Sequence, residues 1–128
     1  MKETILEYIT KHEHVSFVEL SRNIKGFDGN LDWCIGSNVY FWSGISSEAI
    51  DALDELTKER KIDFAPVQPY VYYRDGQRLK LPIASVERVK RNQRCWAPIT
   101  YSTTAQHKAD VARTKRLGHL DALPYPFG

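Results

Sequence analysis

The 128-residue sequence predicts an α+β fold: three short helices lead into a two-strand β-hairpin, and a basic C-terminal extension follows. Three observations carry that expectation. Apolar residues recur at helical spacing behind two capping serines, Ser16 and Ser46. The dipeptide Asp75-Gly76 separates two alternating runs, a strong short-range hairpin signal. Charge also changes sign along the chain: residues 1–85 hold 10 Lys/Arg against 13 Asp/Glu, and residues 86–128 hold 8 against 3. The expected division is a domain over 1–85 and a basic extension over 86–128 that packs back through Trp96–Tyr101.

Composition narrows the class. A hydrophobic content of 42% with 12% aromatic residues supplies a core and excludes global disorder. No apolar run approaches the roughly 20 residues that span a bilayer, so no membrane is expected. The start, MKETILEYITKHEHV, is helical and charged rather than signal-like, which points to the cytoplasm. Cys34 and Cys95 form no C-x-x-C motif and read as reduced thiols.

Lys2–His12 sets Ile5, Leu6 and Ile9 on one helical face. Ser16 then opens S-x-x-E with Glu19, a capping box in which each side chain satisfies an amide of the first turn. Phe17, Leu20 and Ile24 continue that helix, and Gly26 ends it. Lys25–Ser37, with three glycines around Trp33 and Cys34, reads as a loop. Val39–Trp42 is a short β-branched and aromatic strand, expected to pair with a later one. Ser46 caps the third helix, whose buried stripe is Ala49, Ile50, Leu53 and Leu56. That helix stops near Lys61, where Ile62 and Phe64 switch to alternation, and Pro66 and Pro69 bend the strand.

In YVYYRDGQRLKLPI the Asp-Gly turn sets Arg74 opposite Gln77. Tyr70, Tyr72, Leu79 and Leu81 then form a buried face, and Val71, Tyr73, Arg78 and Lys80 an exposed one. Beyond Ile83, Val86 and Val89 anchor a short helix carrying Arg88, Lys90, Arg91 and Arg94. Thr103–Leu117 is a helix with a weak stripe of Ala105, Ala109, Ala112 and Leu117, and HLDALPYPFG is extended.

This order of elements resembles the winged helix-turn-helix superfamily over residues 2–83. The segment GISSEAIDALDELTKERKIDF is similar to its Ser-capped third helix running into the wing. The resemblance implies a third helix in the recognition position and a β-hairpin wing at Tyr70–Ile83. It carries over no base-contacting residue.

Two readings of function follow. In the first, a non-enzymatic protein binds DNA, alone or within a complex, through phosphate contacts from Tyr73, Arg74, Arg78 and Lys80 with Arg88, Lys90, Arg91 and Arg94. In the second, Glu48, Asp51, Asp54 and Glu55 on the third helix face a basic protein partner. Those carboxylates would be repelled by the phosphates lining a major groove. No cofactor is expected and no catalytic constellation is found: Ser, His and Asp occur, but none in a nucleophile-elbow context. His12 and His14 form H-x-H without a Cys or carboxylate at ligand spacing, so no metal is expected.

Overall fold

The computed structural model describes residues 1–117, so the extended terminus expected at 119–128 lies outside the described residues. Among these the chain forms six helices and two small sheets. The helices are α1 (Lys2–His12), α2 (Phe17–Asn23), α3 (Ser47–Lys58), α4 (Tyr70–Arg74), α5 (Val86–Lys90) and α6 (Thr104–Leu117). The strands are β1 (Asp28–Ile35), β2 (Val39–Ile45), β3 (Ile62–Pro66), β4 (Cys95–Trp96) and β5 (Ile99–Thr103). One sheet has the order β1-β2-β4, with β2 antiparallel to β1 and parallel to β4. The other pairs β3 with β5 antiparallel, Phe64 opposite Tyr101.

The first three helices form where local chemistry predicts. Ile5 and Ile9 of α1 are buried. Ser16 and Glu19 complete a capping box on α2. Ser46 Oγ accepts from the Ala49 amide and donates to the Gly26 carbonyl at 2.7 Å, so one hydroxyl caps α3 and ties it to the turn that follows α2. Ala49, Ala52, Leu53 and Leu56 are the buried stripe of α3. At its end, the Arg60 and Lys61 amides return to the Thr57 and Leu56 carbonyls, with Arg60 left-handed at φ 58°.

The winged-helix expectation is overturned. No hairpin forms at Tyr70–Ile83: Tyr70–Arg74 is one helical turn and a half. A type I′ turn needs positive φ at both central residues, yet Asp75 is right-handed at φ −84° and only Gly76 is positive, at 82°. The Gly76 amide donates to the Tyr73 carbonyl and the Gln77 amide to the Tyr72 carbonyl. That is a Schellman helix stop, so the glycine that promises a hairpin here ends a helix. Long-range bonds hold the alternative. Ser16 Oγ donates to Asp75 Oδ2 at 3.1 Å, and Arg22 Nη2 to the Asp75 carbonyl at 2.6 Å. The Phe17 amide donates to the Tyr72 hydroxyl, which donates in turn to the Ile99 carbonyl at 2.6 Å.

The hairpin of this fold lies elsewhere, in β1–β2, turning through Gly36. The segment expected to be a loop is therefore mostly strand. It escapes the alternation test because β1 is an edge strand, exposed along most of its length and irregular in register. The strand at 39–42 pairs on one side with this earlier β1 and on the other with β4.

The residues after 85 enter the same core as those before it. Trp96, Ile99 and Tyr101 are buried. Phe17 and Trp42 stack with planes 2° apart, and Tyr72 meets Trp96 edge-on at 5.2 Å between centroids. Trp33 Nε1 donates to the Tyr101 hydroxyl, whose pKa burial pushes well above the ordinary tyrosine value.

Candidate functional site

Cations dominate the stretch from Arg74 to Arg94, with seven Lys/Arg against Asp75 and Glu87. Arg74 closes α4, Arg78 and Lys80 follow in irregular chain, Arg88 and Lys90 lie in α5, and Arg91 and Arg94 come after it. Six are exposed; Arg88 is half-buried and donates from Nη1 to the Ile83 carbonyl at 2.7 Å. Among the described residues none of the seven forms an ion pair with a carboxylate.

Local packing orders several of them. Arg78 lies over the Tyr73 ring, its Cζ 5.7 Å from the centroid, and Arg94 over Tyr40 at 5.0 Å. Arg88 and Arg91 line one polar cavity with Ser85, Glu87 and Gln93. A parallel bridge between Ile83 and Trp96 joins the two predicted clusters; Lys80 and Arg94 stand three and two residues ahead of it. The sequence found these charges, but no signal in it foretold the bridge or the exposed Tyr70 beside them.

The acidic residues of α3 are less available than their spacing implies. Asp54 pairs with Lys58 at 2.9 Å and Glu55 with Lys2 at 3.3 Å, while Glu48 and Asp51 stay exposed and unpaired among the described residues. Lys2 also bonds Glu59 at 2.8 Å, a contact that holds the Glu59 carboxyl below its ordinary range.

Sequence reasoning missed a His–Asp pair between residues 96 positions apart. His14 Nε2 lies 2.8 Å from Asp110 Oδ2, and Gln106 Nε2 donates to Asp110 Oδ1. Burial pushes the Asp110 carboxyl up, but the bonds from His14 and Gln106 outweigh it and the pKa ends below the ordinary value. Ser102 is adjacent, and its Oγ accepts from the His14 backbone amide at 2.8 Å; among the described residues no hydrogen bond joins that hydroxyl to the His14 ring. His12 stacks on Tyr8 instead of joining His14, and no metal-holding group of three acidic, His or Cys ligands occurs among the described residues. Burial raises the thiol pKa of both Cys34 and Cys95, which lowers their nucleophilicity. Among the described residues no helix is long and apolar enough to cross a membrane.

The sequence matches no protein-family model, and neither the curated proteins nor the solved structures hold a significant match to it.

Proposed function

We propose that this protein acts by binding rather than catalysis, and that it grips the phosphate backbone of DNA with the surface running from Tyr70 to Arg94. The observation that carries this is the run of seven cations without carboxylate partners among the described residues. Unpaired Lys and Arg side chains that neutralise phosphates release the counterions condensed on the DNA, which drives sequence-independent association. The exposed ring of Tyr70 adds a face on which unpaired bases stack. Contact comes from a helix end and irregular chain, and the third helix serves as scaffold. The two free cysteines support a reducing, cytoplasmic setting.

The test is titration of fluorescent single-stranded and duplex oligonucleotides at several salt concentrations. Neutralising Arg74, Arg78, Lys80 and Arg91 together should flatten the slope of log K against log salt by roughly 3–4. These four side chains are exposed and make no structural hydrogen bond, so the fold should be unaffected. Absence of binding at low salt, or a slope unchanged by the quadruple variant, sinks the proposal.

A further inference from the structure

The β3–β5 sheet presents a face of small side chains. In register Asp63 stands opposite Ser102 and Ala65 opposite Thr100, and alternation puts these four on one side. Helix α6 crosses that face with its polar stripe inward. Gln106, His107, Asp110 and Thr114 are half-buried, whereas Ala105, Ala109 and Ala112, expected to pack, are exposed. Neither layer supplies bulk, so the two leave a cavity of about 450 Å³ between them. Protein interiors ordinarily close-pack, and a cavity this size falls in the range that holds small ligands.

The walls combine apolar surface with polar groups that lack partners. Ala65 and Val111 line it from the two facing layers, and their neighbours Phe64 and Pro66 on β3 border it. Thr100, only 4% exposed, also lines it, and its hydroxyl makes no hydrogen bond among the described residues. That hydroxyl is open to the cavity; the fully buried side-chain oxygen without a partner among the described residues is Thr104 Oγ1. The Asp63 carboxylate on the sheet has none either, and across from it on α6 neither do His107 and Lys115. Asp110, by contrast, is already occupied by His14 and Gln106.

One edge of the cavity is held by strained backbone. Glu13 and His14 are both left-handed, at φ 48° and 50°, a conformation unfavourable for either residue. The Glu13 carboxylate accepts from the Thr103 amide and hydroxyl, both at 2.7 Å, and the His14 amide donates to Ser102 Oγ at 2.8 Å. These bonds place the imidazole against Asp110 at the mouth. Strain held by surrounding contacts concentrates at binding sites.

We infer that the cavity between β3–β5 and α6 binds a small zwitterion, a free amino acid with an apolar side chain. The ammonium group meets Asp63 and the Thr100 hydroxyl, the carboxylate meets Lys115 and His107, and the side chain lies on Ala65 and Val111. Opposite unpaired charges on facing walls select a ligand that carries both. This site is independent of the cationic surface from Tyr70 to Arg94.

The full chain is titrated with leucine and phenylalanine, and with the single-charge analogues phenethylamine and 3-phenylpropionate, by calorimetry and amide NMR. The expected result is saturable binding of at least one amino acid, with shifts centred on Ala65, Thr100 and Val111. Each single-charge analogue should bind at least about tenfold more weakly, the loss of one charge-assisted hydrogen bond. Asp63→Asn, which preserves shape, should cost a similar factor. Thr100→Val should weaken binding severalfold with the protein still folded, since the Thr100 hydroxyl makes no hydrogen bond among the described residues. Failure of both amino acids to saturate, an analogue binding as tightly as its parent, or shifts centred elsewhere overturns the inference. A Thr100→Val variant that binds undiminished overturns it as well.

Discussion

Replacing Tyr72 by phenylalanine removes one oxygen and leaves the ring where it is, against Trp42 and Trp96. That oxygen accepts from the Phe17 amide at 3.2 Å and donates to the Ile99 carbonyl at 2.6 Å. The Phe17 amide is at the first position of α2, where no intrahelical acceptor exists. Removing the hydroxyl therefore strands a buried donor and weakens a buried acceptor, at about 1–3 kcal/mol per group. Partial relief by neighbours brings the expected loss to about 2–4 kcal/mol. With an unfolding entropy of about 2.1 cal/mol/K per residue, 128 residues give a melting temperature lower by roughly 7–15 °C. Differential scanning calorimetry measures this directly, with Tyr70→Phe as control. Tyr70 is 61% exposed, so its variant should change stability by less than about 0.5 kcal/mol. In a hairpin both tyrosines occupy the same buried face, and the two variants would lose alike. Equal losses, or a Tyr72→Phe variant within about 0.5 kcal/mol of the parent, would refute the helical placement.

Arg60→Gly relieves a left-handed residue worth ~1–2 kcal/mol and adds glycine's chain entropy of ~0.5–1 kcal/mol, so chemical denaturation should show a net gain of roughly 0.5–1 kcal/mol. Gly29→Ala does the reverse: its Cβ would stand 2.5 Å from Ser46 Cα and 2.8 Å from the Ile45 carbonyl oxygen. Backbone must move there, and the same assay should report a loss of about 1–3 kcal/mol or more. Asp110 has a lowered pKa in the folded chain, so its contribution is complete above the ordinary carboxyl pKa of about 4 and is lost as pH falls through the folded value. Protection factors in α6, taken relative to the intrinsic exchange rate at each pH, should accordingly fall in acid in the parent, with no such acid step in Asp110→Asn; an identical pH profile contradicts the pairing.

Where a stretch of structure rests on near neighbours, its residues announce it. The three N-terminal helices and the start of β3 depend on serine caps, a capping box and spacings of three or four residues, all within one or two turns. Exposure of Tyr73, Arg74, Arg78 and Lys80 also agrees with the reading of the residues, though by a different backbone. Polar side chains reach water whichever element carries them.

Asp75-Gly76 shows where that legibility ends. Positive φ at a glycine serves a hairpin turn and a helix stop equally well, so the dipeptide cannot choose between them. The choice falls to Ser16, Arg22, Phe17 and Ile99, which bond to α4 or the residue after it from 27 to 59 positions away, as the hydroxyl of Tyr72 and both ends of Asp75 find partners. The His14–Asp110 pair spans 96 positions and the Thr100 cavity depends on which side of α6 turns inward. Composition and local spacing thus determined the early helices, the cationic character of residues 74–94 and the α+β class. Strand partners, the helix at Tyr70 and the cavity were decided only by tertiary structure, because a buried polar group must be satisfied by whatever the folded chain brings to it.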